Sequence, residues 1–481
     1  MSGFAIALTG FGAMLLLIAI RMPIALAMLV VGAVGYAFLQ SPHALIYYLQ
    51  TNAYSQFASY TLSVIPLFIL MGALAERSGM AATLFKVAEH RLGQLKGGLP
   101  MAVIAACTGF GAICGSSVAT TATFGRAALP EMRRANVNPG FGTGTIAAGG
   151  TLGILLPPSV ILVIYAITAQ QNIAKLFQAA LIPGLMAAGF YIIAIAIAVR
   201  RNPSLAPPIP FAAPEGTPRP AWVRPLATLM LAAALVGWFT GFIGTVGAIL
   251  LALLAILALV ADFGIIPPVG VALIVVGGIY GQVFTPTEGA AVGAAAMLGV
   301  GILQRSLDFA RIKEALLQTA ETTGMIFLIL LGAEVFGAFL ALTQMPMQLA
   351  SMIGESGLGP YVVVIGMMVT YIILGAVMDE LAMILLTLPV FMPVVLTLDF
   401  GMPPDDVAIW FGILVLVVVG IGLSAPPIGL NVFIINKIAK DVPITQTYRG
   451  VLPFVFADFT RLIILVAFPS ISLWLVHLFN Q

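Results

Sequence analysis

Apolar runs long enough to cross a bilayer fill most of this chain, and they leave it few ways to fold. A helix needs about 20 consecutive apolar residues to span hydrocarbon. Such runs lie at roughly 4–20, 23–40, 61–76, 141–168, 176–199, 225–242, 244–261, 264–284, 287–303, 321–343, 407–436 and 452–478. Two further runs, 98–132 and 358–398, are too long for one helix and carry polar or glycine-rich centres, GSSVATT and GAVMDE. They read as re-entrant helical hairpins. With 61% hydrophobic and only 8% charged residues, the chain is an all-α polytopic membrane protein with about 12 transmembrane helices besides the hairpins. Its start, MSGFAIALTG, lacks the charged segment of a cleavable signal peptide, so the first run is expected to be retained.

Two runs are interrupted. Residues 149–159, GGTLGILLPPS, put three glycines and two adjacent prolines inside the run 141–168. Proline in a helix interior costs about 3 kcal/mol, and the carbonyls it frees find no water in hydrocarbon. Such a break survives where protein packs around it, or where it lines a cavity that something polar occupies. GLSAPP from Gly422 repeats the pattern inside 407–436.

The two halves align by eye. LFILMGA at 67–73 answers FLILLGA at 327–333, Pro100 answers Pro360, and Gly115 answers Gly375, each 260 residues apart (327 − 67, 360 − 100, 375 − 115). GILLPP from Gly153 answers GLSAPP at an offset of 269 (422 − 153), so a nine-residue insertion is expected around DFGMPPDD. Charge gives the orientation. Region 77–97 holds Arg77, Lys86, Arg91 and Lys96, whereas the matched 337–357 holds no Lys or Arg, only Glu355. The positive-inside rule puts the first in the cytoplasm and the second outside, which inverts the repeats. Arg133 and Arg134 return the 98–132 run to the side of Lys96, as a hairpin requires. The expected division is 1–199 as the first repeat, with hairpin 98–132 and broken helix 141–168. A cytoplasmic proline-rich loop follows at 200–224, then 225–481 with hairpin 358–398 and broken helix 407–436. Both termini fall outside.

Inverted repeats with interrupted spans are the architecture by which secondary carriers hold a solute near the midplane, using helix N-termini for anions and unwound carbonyls for cations. In the first half the candidates are Gly115, Ser116 and Ser117 at the hairpin tip, with Gly150, Thr151 and Gly153 at the break. In the second they are Gly375, Met378 and Asp379, with Gly422, Ser424, Pro426 and Gly429. Small residues also let helices approach without binding anything, but repetition in both halves favours a site. Asp379 and Glu380 either cap a hairpin arm or meet an ion or substrate. TPTEG at 285–289 reads as a capping box with Thr285 as N-cap and Glu288 answering it. Glu334, an acid inside an apolar run, serves ion coupling or an interhelical hydrogen bond. Asp458 and Arg461, three apart on one helix, read as an internal pair.

Other classes lack their residues. A net charge of +2 spread over short loops makes no basic stripe for nucleic acid. No Gly-Lys dipeptide exists to form a phosphate-binding loop. His43, His90 and His477 fall in loops or near an end, which leaves no buried Ser/His dyad and no enzyme. Cys107 and Cys114 read as small buried hydrophobes. A channel lined by the same broken helices, or an ion-coupled carrier that needs no binding protein, is the rival reading.

Along nearly the whole chain the residues resemble the large membrane subunit of the tripartite ATP-independent periplasmic (TRAP) transporters. The resemblance is carried by GSSVATTATFG, LPEMRRANVNPGFGTGTIAAGGTLGILLPPS, NIAKLFQAALIPGL, GQVFTPTEGAAVGA, MDELAMILLTLPVFMPV and SAPPIGLNVFI. It implies an elevator-type, sodium-driven importer in the inner membrane, with no other cofactor. The importer would receive an organic acid from a periplasmic substrate-binding protein and work beside a small four-helix membrane subunit, expected as a separate chain. Sodium would fall on Ser116, Ser117, Thr151 and Gly153, and on Gly422 and Ser424. Two departures stand out. Thr120 stands where some members carry an acid, which weakens a carboxylate ligand there, and SAPPIG replaces the commoner TPPVG.

Overall fold

The computed structural model describes residues 2–208, 229, 232–234, 266–375 and 378–479. Run 244–261, all but four residues of run 225–242, residues 209–224 of the proline-rich loop, and Ala376 and Val377 of GAVMDE lie outside the described residues.

Every regular element among the described residues is helical. The first half runs α1 (Gly3–Ala19), α2 (Ile24–Leu39), α3 (Val64–Arg77), α4 (Met80–Leu92), α5 (Gly98–Cys114), α6 (Ser117–Ala127), α7 (Pro139–Leu155), α8 (Val160–Thr168) and α9 (Ile173–Arg201). After α10 (Ile266–Tyr280) and α11 (Pro286–Leu303) come α12 (Phe309–Leu342), α13 (Met345–Glu355), α14 (Pro360–Gly375), α15 (Glu380–Thr397), α16 (Pro404–Ser424), α17 (Leu430–Ile438), α18 (Ile444–Ala467) and α19 (Ser470–Phe479). Among the described residues seven helices are long and apolar enough to cross a membrane, and the pair α7 and α8, bent by 45°, makes an eighth. The remaining apolar helices are shorter; of these α5 and α14 end at the hairpin tips.

The order α4 to α9 recurs as α13 to α18. Corresponding starts are 262, 263, 265, 270 and 271 residues apart (360 − 98, 380 − 117, 404 − 139, 430 − 160, 444 − 173). The expected insertion at DFGMPPDD is therefore mostly elsewhere. That loop adds two residues (265 − 263), whereas α16, at 21 residues against 17 for α7, adds four. Other differences have local causes. The run 452–478 is two helices, α18 and α19, because Pro469 donates no N–H and stops the first. Run 321–343 belongs to a helix that starts at Phe309, where Asp308 Oδ1 accepts from Arg311 N at 2.8 Å. α4 and α13 are not apolar throughout. Each buries one side only, Met80, Ala81, Leu84 and Phe85 in the first and Met345, Pro346 and Ala350 in the second.

The helices pack as two groups. α2 lies along α12, and α3 packs against α11 and α12. Gly32 makes the first crossing close: a Cβ there would stand 2.6 Å from Phe336 N. In the other group α7 packs against α5, α6 and α18, and α14 against α16. α16 is buried along its whole apolar window, which makes it the core of this group.

Candidate functional site

The first hairpin turns at Gly115, whose φ of +62° is left-handed and suits glycine. A Cβ there would meet Pro158 O at 2.7 Å, so the tip presses on the break of the α7–α8 pair. Ser116 is extended and caps α6, its Oγ accepting from Ala119 N at 3.4 Å. Its carbonyl accepts from Thr120 N at 3.1 Å and Thr120 Oγ1 at 2.7 Å. Thr120 is thus turned back on its own helix. Ser117 reaches across: its Oγ donates to both carboxylate oxygens of Glu380, at 3.3 and 3.2 Å, and both residues are buried. The two hairpin tips, 263 residues apart in sequence (380 − 117), therefore touch.

Glycines seat each tip on its break. A Cβ on Gly153 would stand 2.7 Å from Ser116 O and 2.8 Å from Thr120 Oγ1. One on Gly422 would stand 3.0 Å from Gly375 Cα, and one on Gly111 equally close to Gly153 Cα. The glycine pairs Gly111/Gly153 and Gly375/Gly422, one in each half, thus let backbone pack on backbone. Both breaks contain a cis X-Pro bond, Pro157–Pro158 and Pro426–Pro427. Gly150 packs against Thr121. Met378 is buried at the second tip, and Pro426 is exposed. Gly429, at φ +57°, begins α17 with no side-chain cap, leaving its first N–H groups open. Tyr448 OH ties down the second break by donating to Pro427 O at 2.9 Å and Ile428 O at 2.6 Å.

The Thr151 and Ser424 hydroxyls are bonded to their own helices. Ser424 Oγ donates to Gly420 O at 3.1 Å and Ile421 O at 3.2 Å. Thr151 Oγ1 donates to Ala148 O at 2.7 Å and pairs with Tyr191 OH at 3.0 Å. Tyr191 donates to Asp458 Oδ2 at 2.6 Å, and Arg461 Nη2 donates to Asp458 Oδ1 at 2.7 Å. This buried chain confirms the Asp458–Arg461 pair and extends it to α7 and α9.

Between the two helix groups lies a cavity of about 530 Å³. Gly115, Ser116, Asp379 and Glu380 from the tips line it, with Val160 and Leu430 at the starts of α8 and α17. The opposite wall is α3 and α12. Four helix N-termini (α6, α8, α15 and α17) converge here, and their dipoles favour negative charge. Arg126, the one cation among the lining residues, pairs with Glu76 at 3.0 Å across the gap between the groups. Glu76 also accepts from Gln318 Nε2 at 3.3 Å, and Arg77 joins Glu314 and Gln318 beside it.

Of the expected residues, then, Gly115, Ser116 and Asp379 face the cavity and Ser117 stands behind it; the rest lie outside its lining, Pro426 being exposed. Asp379 is a cap, Oδ1 accepting from Leu381 N at 3.1 Å and Ala382 N at 3.0 Å, while its neighbour Glu380 faces Ser117. Asn431 was not among the expected residues. It is fully buried, donates to Ala147 O of the other half at 3.3 Å, and leaves its Oδ1 without a partner. Its position just after a proline break was the only hint.

Comparison with known proteins gives the family and the fold. Residues 11–471 match the model of the tripartite ATP-independent periplasmic transporter, DctM component. The C4-dicarboxylate TRAP transporter large permease protein DctM of Pseudomonas aeruginosa is 32% identical over 86% of both chains. The ectoine/5-hydroxyectoine TRAP large permease UehC of Ruegeria pomeroyi is 28% identical, also over 86% of each. The isethionate TRAP permease DctMQ of Oleidesulfovibrio alaskensis is 28% identical over 96% of this chain and 65% of its own length. Among solved structures, the YdaH transporter of Alcanivorax borkumensis superposes with a TM-score of 0.58 at 16% identity, covering 95% of this chain and 98% of its own. MtrF of Neisseria gonorrhoeae does so with a TM-score of 0.51 at 16% identity, over 88% and 84%. These two share the fold. The chain therefore belongs to the DctM component family, the large permeases of the tripartite ATP-independent periplasmic transporters.

Proposed function

We propose that the chain is the carrier of a sodium-coupled importer that takes a carboxylate from a soluble binding protein and moves it across the inner membrane beside a small four-helix subunit. The observation that carries this reading is the cavity between the helix groups, with both hairpin tips on one wall and α3 and α12 on the other. Converging helix N-termini favour an anion there, Arg126 would meet it on release from Glu76, and the relatives named for C4-dicarboxylate and isethionate carry anions.

The residues present suit sodium. Asn431 Oδ1 is a buried oxygen without a partner. Ser424 gives its hydrogen to carbonyls, which leaves hydroxyl lone pairs free to ligate; Thr151 could do the same on leaving Tyr191 OH. Ser116 and Ser117, with the backbone at Gly153 and Gly422, complete the proposed sets. Sodium would hold both tips on their breaks and so form the anion pocket; loss of either ligand weakens the other's site, which is the coupling. In this reading the tips and breaks move as one body against α1–α3 and α10–α12, as an elevator, with the second half inverted relative to the first.

The test is uptake into liposomes that contain the chain and its small subunit, with ligand-loaded binding protein outside and an inward sodium gradient present or absent. Uptake that needs both supports the proposal. Flux that needs neither contradicts it.

A further inference from the structure

We propose that Glu334 and Gln56 form a cation-binding site in a second cavity, separate from the one between the hairpin tips. This cavity, of about 490 Å³, lies between α12, the segment around Ser55, the end of α8 and the middle of α15. Glu334 is sixteen residues beyond Gln318 on α12 (334 − 318), about 24 Å along the helix at 1.5 Å per residue.

The cavity's unpartnered buried atoms are one-sided. No Lys, Arg or His is among the residues lining it. The two buried lining atoms that lack a partner, Glu334 Oε2 and Gln56 Oε1, are both acceptors. Thr168 and Ser55 give their hydroxyl hydrogens to Ile164 O at 2.9 Å and Asn52 O at 3.0 Å, so toward the cavity they too can only accept. Tyr48 stands beside the Glu334 carboxylate and brings no positive charge.

The other half shows what is missing. Glu76 lies two residues from the position that corresponds to Glu334 (76 + 260 = 336), and there Arg126 and Gln318 meet the acid. Glu334 has no such cation among the described residues. A carboxylate within an apolar span is costly unless its charge is met. One carboxylate meets one charge, so the occupant is a monovalent cation, and the volume leaves it part of its hydration shell. The site joins α12 of one helix group to α8 and α15 of the other, so occupancy bears on how the groups slide.

Hydrogen–deuterium exchange on the purified full-length chain, in sodium, potassium or choline chloride at equal ionic strength, tests this. Backbone amides of 49–62 should exchange about tenfold more slowly at sodium or potassium ten times its dissociation constant than in choline. Glu334→Gln should abolish the effect, and Gln56→Met, which keeps the acid, should shift it to higher cation concentration. Peptides over 112–120 report separately on the hairpin tip and show that each variant is folded. Equal exchange in all three salts, or cation protection unchanged in Glu334→Gln, overturns the proposal. So does protection that follows acidification alone, which would mean that the carboxylate simply carries a proton.

Discussion

Replacing Asp458 with alanine removes the hub of the buried chain that ties α7, α9 and α18. Its carboxylate accepts from Tyr191 OH at 2.6 Å and from Arg461 Nη2 at 2.7 Å, and both side chains of the ion pair are 1% exposed. Truncating one partner of such a pair costs about 3–5 kcal/mol, because the other charge is stranded. Arg461 has little else: Pro183 O is 3.4 Å away and its Nε has no partner. An unfolding entropy of about 2.1 cal/mol/K per residue over 481 residues gives about 1 kcal/mol per degree, so the midpoint should fall by about 3–5 °C. Asp458→Leu combined with Arg461→Met removes both charges and should recover most of that, since apolar replacement of a buried pair is often neutral. The assay is the folded fraction eluting from a sizing column after heating in detergent. A double variant as damaged as Asp458→Ala would refute the reasoning, because the loss would then lie in packing and not in the stranded guanidinium.

Three further outcomes are expected. Gly422→Ala sets a Cβ 3.0 Å from Gly375 Cα, a backbone contact that must yield at about 1–3 kcal/mol; uptake per inserted molecule should fall about tenfold or more. Ser117→Ala strands the Glu380 carboxylate, whereas Glu380→Gln keeps an amide that can pair with the serine. A double-mutant cycle on uptake or heat stability should therefore show a coupling of about 1–3 kcal/mol, and additive losses would mean that the tips do not communicate through this bond. Arg126→Gln removes an ion pair whose arginine side chain is 62% exposed, so heat stability should hardly change. The uptake KM should rise, and an unchanged KM would remove Arg126 from anion recognition.

What the sequence revealed and what it hid follow from how local each feature is. Breaks at Gly115, Pro157–Pro158 and Pro426–Pro427 were legible because glycine and proline act on their own turn. The Thr285–Glu288 box closes within four residues and forms as expected, Thr285 N donating to Glu288 Oε2 at 2.8 Å and Glu288 N to Thr285 Oγ1 at 3.3 Å. Asp458 and Arg461 share one helix face and were legible for the same reason. Tyr191–Asp458, Ser117–Glu380 and Asn431–Ala147 join residues 267, 263 and 284 apart, and no periodicity announces such pairs. The sequence offers both Asp379 and Glu380 as caps; in the fold Asp379 takes that role and Glu380 makes the tip contact. α4 and α13 make no apolar run because each buries one side only.

Counterflow tests the central claim, that one site between the hairpin tips is exposed alternately to the two sides of the membrane. Liposomes holding the chain and its small subunit are loaded with the unlabelled acid that the binding protein carries, sodium is equal on both sides, and a trace of labelled acid is added outside with the binding protein. The account predicts that labelled acid accumulates transiently above its equilibrium level, and only in loaded liposomes. Labelled uptake that is the same with and without internal acid would contradict it and indicate a continuous pore.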